Sequence, residues 1–306
     1  MAAIVNRKGI GADDAEFNSA FRRMKADVLK AMDALKDETS RAKLLKALAA
    51  RDAQAVADAI PWNQLNGHLD SLKTDIREIF EVEARLAAEG VGIVFDIFNP
   101  RALDWVGQHG GELIRQITTE TRNAVKVAAQ QMFESGESTR WMADKIRDRI
   151  GLTTRQQGAV TNYRKGLQDS GLRPDQIEKK VAFYERNAIK LRAEMIARTE
   201  TINSAAAGQQ MAWEQAVADG SLNARRFEVR WSTSPNDACP ICISRDGSRR
   251  PIGGRYPGGF GPPTAHPQCR CIESLVEVKS ATPGKAFYSN LNLAKPLAAV
   301  NQRRRA

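Results

Sequence analysis

The sequence predicts a mainly α-helical protein: an elongated multi-helix body, a small α+β module near the C-terminus, and a basic extended tail. Three observations lead there. Apolar residues recur every three or four positions through the first 220 residues. The period changes to two at Phe227, and 13 of the 39 residues from Ser232 to Arg270 are glycine or proline, which is turn and loop composition.

The first helix carries Phe17, Phe21, Met24, Val28, Met32 and Leu35 on one stripe, with Asp13 and Asp14 at its start, where negative charge suits the helix dipole. A shorter pattern from Leu44 to Ile60 stops at Pro61. Trp62, Leu65, Leu69, Leu72, Ile76, Ile79 and Leu86 predict a longer helix, weakened at Gly67 and ended by Gly90 and Gly92. Asn99-Pro100 starts the next, since proline suits the first helical position. Ser138 precedes a short helix that ends at Gly151; Thr154 and Gln157 are spaced as a capping box for the one after it. A long pattern then runs from Pro174 to Val217, and Gly220 ends it. Phe227, Val229 and Trp231 alternate with Glu228 and Arg230 as a strand, and Ile272–Val278 predicts a closing strand. Trp105, Trp141 and Trp213 sit at helical spacing and are read as core anchors.

Length and composition narrow the function classes. A chain of 306 residues has room for about two domains. With 42% hydrophobic and 27% charged residues it has ordinary globular composition, and it contains no run of 18 apolar residues to span a membrane. The first residues lack the apolar core of a secretory signal, so a cytosolic protein is expected. Charge is uneven: residues 237–306 carry +7 of the net +10, and Lys279–Ala306 contains no acid. Such a gradient suits a polyanionic neighbour, most simply nucleic acid, or else a merely solubilising tail. Arg303, Arg304 and Arg305, with Arg249 and Arg250, are the candidate phosphate contacts.

All four cysteines fall between positions 239 and 271, beside one of only three histidines. Cys239-Pro-Ile-Cys242 and His266-Pro-Gln-Cys269-Arg-Cys271 offer five donors for four tetrahedral positions. The segment holds few large apolar residues, and a structural zinc ion would supply the ordering energy that burial there does not. This predicts a zinc-knuckle-like module. Buried free thiols and disulfides are the weaker readings. Whether His266 or a fourth cysteine completes the set stays open. A hydrolytic site would need an open coordination position and a general base. Arg230-Trp-Ser232-Thr233-Ser234 looks like elements of some ADP-ribosyltransferases, but only Glu273 and Glu277 are near, and not as a Glu-x-Glu turn.

Ile196-Ala-Arg-Thr-Glu200, Gly208, Trp213, Trp231-Ser-Thr, Cys239-Pro-Ile-Cys242, Asp246-Gly247 and Pro262-Pro-Thr-Ala-His-Pro-Gln-Cys-Arg-Cys271 follow in order. The series resembles the phage head morphogenesis domain of Mu F-like minor head proteins. The resemblance divides the chain into an N-terminal helical region (1–95) suited to docking, the morphogenesis domain (96–278, its β and cysteine-rich part from 226) and the basic tail (279–306). It implies a non-enzymatic minor capsid protein of a tailed phage, in the virion head near the portal vertex and in host cytoplasm during assembly. The implied partners are the portal protein, the major capsid protein and genomic DNA. Arg198 and Glu200, in the Arg-Thr-Glu element, are read as an ion pair locking their helix onto the zinc module. The rival readings are a metal-dependent nuclease, an ADP-ribosylating effector, or a free-standing zinc-dependent nucleic-acid-binding protein.

Overall fold

The structure is a computed structural model that describes residues 4–5, 15–233 and 238–278. It is mainly helical, with a small sheet close to the C-terminus. Asp13, Asp14 and the tail lie outside the described residues. The helices are α1 (Ala15–Glu38), α2 (Arg41–Ala49), α3 (Ala53–Asp58), α4 (Trp62–His68), α5 (Ser71–Glu89), α6 (Pro100–Phe133), α7 (Thr139–Asp148), α8 (Thr154–Asp169), α9 (Pro174–Ala218) and the single turn α10 (Pro240–Ile243). No helix among the described residues is long and apolar enough to cross a membrane.

Local chemistry divides two stripes that periodicity joins. The 44–60 pattern breaks between α2 and α3, where Arg51 takes φ 52° and the Asp52 carboxylate accepts the Gln54 and Ala55 amides. That is an N-cap, which spares the new helix two unpaired donors. The 62–86 pattern breaks at Leu69 and Asp70, just beyond Gly67. The capping box also falls one residue earlier than expected. Thr153 has extended backbone and exchanges hydrogen bonds with Gln156, while Gln157 turns inward and is fully buried. Ser138 caps α7 as its position predicts.

The chain forms two compact units. One combines Ser19–Ile76 with Asp104–Ala197 and is helical throughout its described residues. Leu152, Val160, Ile177, Val181 and Ile189 form an aliphatic core cluster there. Two cations are buried beside such side chains. Arg149 donates to Glu185 at 2.7 Å, and Arg192 donates to Thr121 Oγ1 and the Gly151 carbonyl, both at 2.9 Å. Trp141 is only half-buried and lies under the Arg164 guanidinium; Trp105 is half-buried too and stacks on His109. Neither is the fully packed anchor its spacing suggests.

The other unit combines Met1–Asn18, Arg77–Leu103 and Arg198–Ala306. Its sheet has the order β1 (Ile4–Val5), β4 (Ile272–Glu277), β2 (Phe227–Ser232), β3 (Arg249–Arg250), all antiparallel. In β2, Val229 and Trp231 are buried and their neighbours are not, the alternation expected of a half-buried strand. Trp213, Ala216, Leu222, Val229, Ile252 and Leu275 pack the α9–sheet core, so Trp213 is a buried anchor as predicted. Gly208 has a steric reason to be glycine. A Cβ there would lie 2.3 Å from the Phe80 carbonyl oxygen, so α5 and α9 approach backbone to side-chainless backbone.

Candidate metal centre

The cluster is built by two short segments. Cys239 precedes α10 with Pro240 at its first position, and the Ile243 amide bonds the Cys239 carbonyl at 2.9 Å. One helical turn therefore brings Cys242 round to the side of Cys239. The second segment is tied to α9 at two points. Thr264 Oγ1 donates to Asn203 Oδ1 at 2.7 Å, and the Gln268 amide donates to Thr199 Oγ1 at 3.2 Å. Gln268 has φ 61°, in the left-handed region uncommon for a side-chain-bearing residue, and the Cys269 amide closes the turn onto the His266 carbonyl.

These turns bring all five predicted donors together. His266 Nε2 lies 3.2 Å from Cys239 Sγ and 3.0 Å from Cys242 Sγ, and Cys242 Sγ is 3.8 Å from Cys269 Sγ. Cys239, Cys242 and His266 form one triad, and Cys242, Cys269 and Cys271 another, so Cys242 is common to both. All four cysteines are free, which sets the disulfide reading aside. Ligands about 2.3 Å from a tetrahedral ion stand roughly 3.8 Å apart, the spacing that Cys242 and Cys269 show. The His266 tautomer follows from a second contact. Its Nδ1 is 2.8 Å from the Pro267 carbonyl, which can only accept, so Nδ1 carries the proton and Nε2 presents its lone pair to the sulfurs. The cluster can hold a metal ion.

The sulfurs do not share charge equally. The Cys271 thiol, foremost, donates to Cys269 and holds its pKa down at about 5. Backbone amides of the α10 turn, that of Cys242 first, also lower Cys239. Burial pushes Cys242 up to about 12, and Cys271 is raised chiefly because its proton serves Cys269. Without a cation, then, two sulfurs give up protons readily and two retain them, because four thiolates this close would repel.

Around the cluster, Trp231 meets the rings of Tyr256 and Phe260 edge-on, and Arg245 lies 4.2 Å over the Phe260 ring. Behind it is a buried polar network. Arg250 donates to both oxygens of Glu273 at 2.9 Å, and Tyr256 Oη donates to Glu273 Oε1 at 2.6 Å. Both charged side chains are 0% exposed. This corrects the phosphate-contact reading of Arg250, whose guanidinium is spent inside the unit. Arg249 does face solvent, 3.8 Å from Glu228, and Arg303, Arg304 and Arg305 lie outside the described residues. Of the two nearby carboxylates, Glu277 binds Arg226 and Glu273 binds Arg250 and Tyr256.

The Arg198–Glu200 element sits on α9, with Glu200 buried and Arg198 half-buried. On the same helix, Thr199 and Asn203 bond the cysteine segment. Sequence reading missed both, together with the roles of Glu273 and Tyr256. Only the place of Thr199 inside the Arg-Thr-Glu element hinted at it. No family model, curated protein or solved structure matches the chain.

Proposed function

We propose that this protein is a structural minor head component of a tailed phage, acting by assembly contacts at or near the portal vertex. In this reading one zinc ion orders its C-terminal module. The observation that carries it is the meeting of two distant motif elements. Thr199, inside Ile196-Ala-Arg-Thr-Glu200, receives the amide of Gln268, inside His266-Pro-Gln-Cys269-Arg-Cys271. From Arg198 onward, the ordered series that resembles the head morphogenesis domain lies in one packed unit, which also holds the five donors.

Thiolates with one imidazole suit zinc, which takes four such ligands tetrahedrally. When bound, the ion would supply ordering energy and not turnover: five protein donors for four positions compete with any water that a hydrolytic site would need. Cys239 and Cys242 would fix the α10 turn, and donors from the His266–Cys271 segment would fix the part docked on α9. The buried Arg250–Glu273 pair braces the strands behind them.

Contact with packaged DNA belongs to this reading through exposed Arg249 and the basic tail. The expected behaviour is binding without sequence preference that falls steeply as salt rises. A pull-down of the tagged full chain from phage-infected cells tests the assignment. Recovery of portal and capsid subunits supports it. Recovery of ribosomes or chromosome alone, or nuclease or nicotinamide-releasing activity lost in Cys239→Ala, overturns it.

A further inference from the structure

Among the described residues Trp231 is the largest fully buried side chain, and its indole Nε1 has no hydrogen-bond partner. Its backbone is fully used: its amide donates to the Ser248 carbonyl at 2.8 Å, and its own carbonyl accepts from Gly247 at 3.0 Å. The ring cannot swing out, since Tyr256 and Phe260 flank it at 5.5 and 5.8 Å and Arg245 covers it. A buried N–H without an acceptor is costly, and native structures rarely retain one without a reason.

Its neighbours supply the reason. Trp231 shares one buried cluster with Cys242, Cys269 and Cys271. Cys271 directly precedes β4, in which Glu273 is the register partner of Trp231. A neutral thiol is a weak acceptor, and a thiolate is a strong one.

We propose that Cys271 is a metal ligand and that the Trp231 N–H is the hydrogen-bond donor that positions its sulfur. This rests on the zinc reading above. Trp231 is to Cys271 what the Pro267 carbonyl is to His266, an outer partner that fixes how an inner ligand faces the ion. Deprotonation of Cys271 on metal binding turns an unsatisfied N–H into a charge-assisted hydrogen bond, so part of the ordering energy comes from the ring.

The direct test is nuclear magnetic resonance of the full chain loaded with cadmium, a spectroscopically visible substitute for zinc. A scalar coupling between the Trp231 indole proton and the metal, carried through the sulfur, is expected. Its absence overturns the assignment. Trp231→Phe, or replacement of the indole by benzothiophene, which keeps the ring shape and removes the N–H, is expected to lower zinc affinity by about 10- to 100-fold. Metal release should move to higher pH, because protons compete better for a thiolate that has lost its donor. The stoichiometry should stay at one zinc per chain. If the unsubstituted chain binds no zinc, the zinc reading itself falls. If it binds zinc and both replacements match it in affinity and release pH, only the role of Trp231 falls. Where Trp231→Phe does not fold, the coupling in the unsubstituted chain decides.

Discussion

Two clusters of five buried residues, one in each unit, are made of different matter. In the helical unit the cluster is Leu152, Val160, Ile177, Val181 and Ile189, all aliphatic. In the mixed unit it is Trp231, Cys242, Tyr256, Cys269 and Cys271, three of them thiols. The first gains stability as its surface leaves water, whatever else is present. The second buries three sulfurs, of which Cys269 has its pKa held down at about 5 by its neighbours' hydrogen bonds, while burial raises Cys242 and the proton shared with Cys269 raises Cys271. The difference teaches that one chain can build one cluster on apolar patterning alone and another from side chains that can also hold a metal ion.

The largest effect expected is metal removal. Zinc binding in small structural sites is worth about 10–16 kcal/mol, comparable to a whole domain's stability of about 5–15 kcal/mol. Chelation, or Cys242→Ala, should therefore release amide protection over residues 239–271 while leaving α7 and α8 protected. Hydrogen exchange read by mass spectrometry checks this, and equal protection with and without metal would break the contrast. Next in size is Glu273→Ala, which strands the Arg250 cation in a site with no exposure and should cost about 3–5 kcal/mol by denaturant unfolding. Leu152→Ala should cost about 2–5 kcal/mol and leave zinc stoichiometry at its unsubstituted value. A loss of bound metal in that variant would show that the two clusters are not independent.

The smallest effect concerns pH. Burial would raise the Glu178 carboxyl, but hydrogen bonds from Arg164 and Lys145 outweigh it and hold the pKa at about 2, against 4.5 ordinarily. A depressed carboxylate contributes stability that is present above its ordinary pKa and is lost as pH falls toward 2. Glu178→Gln should thus unfold at a higher pH than the unsubstituted chain during acid titration followed by circular dichroism. The side chain is 35% exposed, so solvent screens much of this contribution. Coincident acid midpoints would remove the ion-pair cluster from the stability of the helical unit.

The helices were legible because burial imposes a period on the chain: α1, α6, α7 and α9 begin and end close to where stripes, caps and prolines place them. The breaks after Ala49 and His68 were harder to see, since a stripe can continue in register across a turn whose cause is one carboxylate at Asp52. The two-residue strand β1 carries too little pattern to be recognised without its partner in β4. The five donors were legible because cysteine and histidine are scarce here and their spacing is constrained by the tetrahedron. Arg250 was misread, since an arginine for phosphate and an arginine for a buried glutamate are the same letter.

By itself the sequence determined the helical character, the strand pair and the identity of the donor atoms, all of which are properties of near neighbours along the chain. Only the tertiary structure decided which cations face water, that Thr199 and Asn203 anchor the cysteine segment, and that the Trp231 N–H is sealed beside the sulfurs. Those depend on residues tens of positions apart, where contact is set by packing and carries no periodic trace in the chain.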